Sequence, residues 1–434
     1  MIPGSPAAAR GPRPQSPGGA GRLARWAGGL LLGCLTAGPL AAQRATVRLG
    51  AQAIPYLTGS DAVPGGGTAA DLGVAQPIVS LHAAAPGGRL TALGTFDFEG
   101  LAIPDGELTM GAWGEGFVDR RHPHTYVHEL MLTGATALGP ARLSASVGKG
   151  FAPFGTDDPM VRPSFAYPVD HHLSQILERA VAIAAVRAGP LGLEAGLFNG
   201  DEPERPTEWP RLARFGDSWS ARLSVWPLAG LELQGSRARV KSPEHRPGAG
   251  PTQTKWSVSG HWSRAVAGHP VEAQVEWART HEVAGVLTYD GFLAESAWRG
   301  GRHRLHYRFE RTERPEEERT LDLFRSLRPH LDDAILATTR WTIHTVGWDV
   351  DLTGPAASLR FTPFVEVALG RVTSLAAAGF DPASFYGRSR FWGATVGVRL
   401  GLGAPMHHRM GRYGAAAEEA GGRESAAPLH THHP

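Results

Sequence analysis

The chain has 434 residues, 43 of them basic and 41 acidic, for a net charge of +2, and a single cysteine. So balanced a charge leaves no electrostatic footprint for nucleic acid, and Cys34 alone can build neither a disulfide framework nor a thiolate metal centre. Beyond residue 43 no apolar run reaches the roughly 18 residues that a membrane-spanning helix needs.

Residues 1–42 read as a secretory signal. Arg22 and Arg25 form a basic flank, "LLLGCLTAGPLAAQ" an apolar core, and Ala41–Ala42 the small residues before a cleavage site. Cleavage there removes Cys34, so the exported remainder carries no cysteine.

From residue 44 the pattern has period two. In "KWSVSGHW", Trp256, Val258 and Trp262 oppose Lys255, Ser257, Ser259 and His261. In "VEAQVEWA", Val271, Ala273, Val275 and Trp277 oppose Glu272, Gln274 and Glu276. In "RLHYRFE", Leu305, Tyr307 and Phe309 oppose Arg304, His306, Arg308 and Glu310, and 357–371 and 390–403 alternate likewise. Such strands have one face in apolar and one in polar surroundings. Seventeen segments between 44 and 403 qualify, among them 44–56 and 107–118. A closed barrel with an even strand number takes about sixteen (14–18), so one segment is surplus, and the first is the one expected to drop out.

Short links (137–141, 188–192, 227–230, 267–270) alternate with long polar ones (199–217, 241–254, 311–336), as the two ends of an outer-membrane barrel do. Trp219, Trp226, Trp256, Trp262, Trp277, Trp298, Trp341 and Trp392 sit near strand ends, where an interfacial girdle falls. The expected fold is all-β: a transmembrane antiparallel barrel over residues 43–403, in the bacterial outer membrane and surrounded by its lipid. A soluble exported sandwich or propeller is the competing architecture, although no blade-like repeat is present.

Residues 151–178 interrupt the strands. Pro153, Pro159, Pro163, Pro168 and the pair Asp157–Asp158 forbid a regular strand. Phe151, Phe154, Phe165, Tyr167, Leu173, Ile176 and Leu177 make the segment too apolar for solvent. The expectation is a loop folded inward that narrows the pore, lined by Asp157, Asp158, Arg162, Asp170, His171, His172, Glu178 and Arg179. By alternation the wall adds Arg222, Arg304, Arg308 and Arg360, with Arg187 nearby.

The run "VGKGFAPFGTDDP…SQILERAVAIAAVRAGPLGLEAGLFNGDE" resembles the phosphate-selective porin O/P group of outer-membrane channels, through Gly148, Pro153, Phe154, Gly155, Glu178, Arg179, Phe198, Asn199 and Gly200. The resemblance implies a porin with an inward segment, assembled as a homotrimer. The lysine-rich binding site of that group has no match, since Lys149 is the only lysine before residue 241. An anion preference would therefore have to come from arginines.

Other chemistry is read as weaker. Adjacent His171 and His172 point apart on a turn and do not share one ion. "DRRHPHTYVHE" (119–129) gathers Asp119, His122, His124, His128 and Glu129, a metal cluster or a solvated loop. Residues 404–434, with His407, His408, His430, His432 and His433, are expected to be a disordered tail. Ser257, Ser259 and His261 share a strand face but no Gly-x-Ser-x-Gly elbow accompanies them, and Glu310 and Glu313 read as a solvated rim. The expected protein is thus not an enzyme and holds no cofactor or metal. It passes small polar or ionic solutes by diffusion. The runner-up is a non-conducting structural or metal-handling barrel.

Overall fold

The computed structural model describes residues 45–403 and 409–417, apart from 64, 104–107, 110–111, 114–123, 170, 204, 244–246, 318–334, 355–356 and 376–379. Residues 1–42, expected to be a secretory signal, lie outside the described residues. Strands β1 (Thr46–Ser60), β2 (Ala69–Ala84) and β3 (Leu90–Asp97) come first, then a two-residue ladder of β4 (Leu108–Thr109) and β5 (Ala112–Trp113). They are followed by β6 (Val127–Leu138), β7 (Ala141–Gly150), β8 (Arg179–Ala188), β9 (Leu191–Phe198), β10 (Ser218–Leu228) and β11 (Leu231–Lys241). The series ends with β12 (Thr252–Val266), β13 (His269–Glu282), β14 (Leu287–Gly300), β15 (His303–Glu317), β16 (Ile335–Val350), β17 (Leu359–Ser374) and β18 (Arg390–Gly403).

All but β4 and β5 form one closed antiparallel barrel of sixteen strands. Closure is made by β1 against β18, from Gly50 opposite Gly403 to Ser60 opposite Gly393. The surplus segment is thus 107–118, not the first. Its described residues pair only with each other, whereas 44–56 supplies the closing strand. Closure leaves no unpaired ladder edge, the condition for strands to lie in lipid.

The two faces differ as the alternation predicts. Along β15, Arg304, His306, Arg308 and Glu310 turn inward, while Leu305 and Tyr307 are exposed outside. Leu193, Leu223, Val275, Phe292, Val346 and Val396 are likewise exposed on other strands. Each such side chain left in water forgoes about 1.5–3 kcal/mol, so an exterior built this way on strand after strand belongs against lipid tails. Two girdle assignments fail. Trp226 and Trp341 face inward: Trp226 donates through Nε1 to Glu232, and Trp341 is fully buried against Tyr386 and Phe391. Alternation gives parity within a strand, and proximity to a strand end says nothing about face.

The links obey the predicted asymmetry. One end has the tight turns at 139–140, 189–190, 229–230, 267–268 and 301–302; the strand ends that face the other way are joined by longer stretches, among them 151–178 and 199–217. The main apolar cluster lies inside the barrel. Phe151, Phe154, Phe165, Tyr167, Ile176 and Leu177 of the insert pack on Ile54, Tyr56, Met131, Ile183, Phe198 and Phe364 of the wall. Gly155 is the insert's pivot: its φ is +64°, and a Cβ there would stand 1.6 Å from the carbonyl oxygen of Ser174. Gly155→Ala is expected to destabilise the insert by about 1–3 kcal/mol or more, read as a lower temperature for the shift from folded to unfolded migration on a gel.

Candidate functional site

The insert leaves β7 and crosses the lumen to the far wall. Its neck is tied where the Ala152 N–H donates to Ile176 O at 2.9 Å. An irregular segment carries backbone groups with no ladder to join, and inside a barrel only the wall can satisfy them. Gly155 N–H donates to Ser236 Oγ on β11 (2.9 Å), and Arg222 on β10 donates to Gly155 O (3.2 Å). Further across, Val169 N–H donates to Glu310 on β15 (3.0 Å), and the amides of Phe165 and Ala166 both donate to Glu366 on β17. Arg308 and Arg399 donate to Ala166 O (2.5 Å) and Pro163 O (2.9 Å). Arg162 reaches Glu276 on β13 at 3.3 Å and Glu295 on β14 at 3.5 Å. Glu310, expected on a solvated rim, is buried because an insert amide needs its carboxylate.

The predicted lining residues are therefore brought into the lumen but are largely engaged. Arg222 makes a two-pronged pair with Glu194 at 2.6 and 2.8 Å. Arg304 pairs with Asp349 (2.6 Å) and Arg308 with Glu295 (2.6 Å). Arg187 stacks 4.0 Å over the ring of Trp226, and Arg360, at the tight-turn end, donates to Gly403 O at 3.2 Å. Asp158 caps the turn Pro159–Val161 by accepting from Met160 N–H at 2.7 Å. Glu178, with φ +58°, accepts from Thr125 N–H at 2.9 Å and faces His128 Nδ1 at 2.8 Å, so it fastens the insert's exit to β6. Arg179 donates to Leu177 O at 2.7 Å. Asp170 and the side chains of His171 and His172 lie outside the described residues; the backbone of His171–Ser174 is a 3-10 turn.

The residues carrying the family resemblance have local work. Asn199 Oδ1 accepts from Ala180 N–H at 2.7 Å and ties the end of β9 to the start of β8. A Cβ on Gly200 would meet Lys241 O at 2.1 Å.

A second occupant of the lumen is not foreseen from the sequence. Arg409–Ala417, expected within a disordered tail, returns into the barrel at its tight-turn end and packs on β6–β9. Arg409 pairs with Asp157 at 2.6 Å and with Glu232; Arg412 reaches Glu232 at 3.1 Å, Asp157 at 3.3 Å and Glu194 at 3.6 Å. Tyr413 Oη donates to Glu129 at 2.7 Å and accepts from Phe151 N–H at 3.0 Å, and Ala415 N–H donates to Ser144 Oγ at 2.8 Å. Burial raises the Asp157 carboxyl, but Arg409 and Arg412 outweigh it and hold the group well below the usual carboxylate range. Burial, with Arg222 beside it, lowers Arg412 to about 10, still charged at neutral pH. A cavity of about 210 Å³ remains between this segment and the wall, bounded by His82, Thr91, Met131, Thr133, Arg142 and Tyr413. The arginines could have been singled out in the sequence only with knowledge of Asp157, Glu194 and Glu232, which come together in three dimensions.

A closed barrel of sixteen antiparallel strands, apolar outside, charged inside and holding an infolded loop, is an outer-membrane barrel of the porin type. No protein-family model matches the chain, and no curated protein matches it. Among solved structures it is similar to the anion-selective porin of Comamonas acidovorans, at 10% identity and TM-score 0.48 over 83% of this chain and 100% of that one. It is also similar to a loop L8 deletion mutant of OmpT, an outer-membrane protein of Vibrio cholerae (12%, TM-score 0.47, 83% and 100%), and to OccK3 (OpdO) of Pseudomonas aeruginosa (13%, TM-score 0.37, 83% and 96%). The fold assignment rests on the strand register of this chain itself.

Proposed function

We propose that this chain is a porin-like outer-membrane channel that passes small polar or ionic solutes by diffusion, narrowed by its insert and by Arg409–Ala417. The observation that supports this reading is the inner face: charged and hydroxyl side chains enclosed by an apolar-coated wall. Sixteen strands enclose more space than wall side chains fill. The finer reading, an anion preference as in the phosphate-selective group, assigns selectivity to Arg162, Arg179, Arg187, Arg222, Arg304, Arg308 and Arg360. Five of these, Arg162, Arg179, Arg222, Arg304 and Arg308, face carboxylates at 2.5–3.5 Å. Opposed charges so close leave little net field in the bore, so the preference is expected to be weak. Homotrimeric assembly belongs to the same proposal.

In a planar bilayer the purified protein is expected to give ohmic steps and a reversal potential close to zero across a salt gradient. Replacing Arg179 and Arg187 by Ala should move that potential toward cations; an unaltered value clears both residues of a selectivity role. The second reading, a barrel that does not conduct, is favoured by one observation, the packing of Arg409–Ala417 in the lumen. Silence in the bilayer, even after removal of that segment and of the insert, would establish it and remove the channel.

A further inference from the structure

Asp97 ends β3, Glu99 opens the helical turn Glu99–Ala102, and His124 stands three residues before β6. All three are buried, at 0%, 0% and 2% exposure. The Nδ1 atom of His124 lies 3.1 Å from Glu99 Oε2 and 3.5 Å from Asp97 Oδ2. The second oxygen of each carboxylate is already committed: Gln76 N–H donates to Glu99 Oε1 at 2.6 Å, and Glu99 N–H donates to Asp97 Oδ1 at 2.9 Å. Gln76 holds a φ of +47°, a left-handed conformation that costs a non-glycine residue energy, and from it the amide meets Glu99 rather than a strand neighbour. Outer hydrogen bonds of this kind orient ligating carboxylates in metal sites.

What is left is one oxygen from each carboxylate and one imidazole nitrogen, converging. A single ring N–H cannot serve both oxygens, and Asp97 Oδ2 has no hydrogen-bond partner although it is fully buried. Beside the cluster stands another buried atom without a partner, His128 Nε2, its ring 5.0 Å from that of His124. Among the described residues no lysine or arginine ion-pairs with Asp97 or Glu99, and burying two carboxylates without a cation is costly. The three ligand atoms lie within 4.8 Å of one another. Metal–ligand bonds of about 2.0–2.2 Å in a tetrahedron place ligand atoms roughly 3.3–3.6 Å apart, close to the two separations seen.

We propose that Asp97, Glu99 and His124 form a binding site for a divalent transition-metal ion of the zinc type, with water in the remaining position. Two carboxylate oxygens and one imidazole are a hard-to-borderline donor set, which selects Zn²⁺ or Mn²⁺ over soft ions such as Cu⁺. The ion supplies positive charge that no lysine or arginine among the described residues brings to the two carboxylates. It also clamps the chain between residues 97 and 124 at the corner where the insert packs, the Tyr167 ring lying 6.0 Å from that of His124. In a chain whose single cysteine cannot close a disulfide within it, the ion would take that part. The site is independent of whether the barrel conducts.

The test uses the full-length protein in detergent, stripped with EDTA, exposed to Zn²⁺ and passed through buffer exchange, beside His124→Gln and Glu99→Gln. Histidines elsewhere, including those of the tail, are common to all three chains. The wild type is expected to retain one zinc equivalent more than either variant. With Co²⁺ it should show visible absorption of a four-coordinate site that both variants lack. Equal retention, or the same cobalt spectrum in all three, means an adventitious ion only and overturns the site. Should the variants fail the gel test for a folded barrel, the wild type decides alone. Its cobalt absorption must survive buffer exchange and disappear on addition of one equivalent of Zn²⁺, and absence of such a band overturns the site equally.

Discussion

A chain ending at Gly403 will conduct more than the full-length chain in the same bilayer. β18 and its pairing with β1 are complete at that residue, so the barrel closes without the residues beyond it. Arg409–Ala417, by contrast, stands within the bore and is held chiefly by two arginines against Asp157, Glu194 and Glu232. Removing one partner of a buried ion pair costs about 3–5 kcal/mol. R409A/R412A should therefore raise the undocked fraction by about a hundredfold or more and reproduce the truncated chain's conductance without shortening the protein. Equal conductance in the three chains would remove the segment from any role in closing the pore. The pH dependence is set by Asp157. Its folded-state pKa is depressed, so its contribution to docking is fully present above the ordinary aspartate value of about 3.9 and fades only as pH falls through the lower folded value. Lowering the pH from 8 to about 5 should leave the full-length conductance unchanged. An increase at mildly acidic pH would mean that Asp157 is not the anchor.

Deleting residues 156–172 will enlarge the conductance several-fold and leave the strand ladder intact. The segment spans the lumen, and its hydrogen bonds to β13, β14, β15, β17 and β18 are made to side chains that point inward from strands already paired on both sides. The deletion frees Glu310, Glu366, Arg308 and Arg399 from the insert. They then meet water in the widened bore, where an exposed charge costs little. A graded version is Glu310→Gln with Glu366→Gln, which keeps the insert but weakens its acceptors for the amides of Val169, Phe165 and Ala166. Frequent brief openings at intermediate conductance are expected. Deletion with no change in step size would show that current does not pass where the insert lies.

Both predictions turn on groups that the sequence could place on a face but not pair. Period-two alternation in β15 settles that Arg304, His306, Arg308 and Glu310 look one way and Leu305 and Tyr307 the other, because successive side chains leave a strand on opposite sides. Proline, paired aspartates and aromatic density set 151–178 apart from its flanking strands. The same reasoning kept 107–118 as a strand, since alternation over a few residues does not say whether a ladder partner exists. It also places arginines and carboxylates together in the lumen without pairing them, since the partners Glu194, Glu295 and Asp349 arrive from neighbouring strands.

The residues by themselves determine only local features: strand periodicity, the alternation of short and long links, and an apolar segment that must be sheltered. The folded chain alone decides who meets whom across the bore. Asp157 with Arg409, Arg162 with Glu276, and Asp97 with His124 are separated by 252, 114 and 27 positions. Their encounters follow from the registers of many strands closing on one another, which no single stretch of sequence encodes.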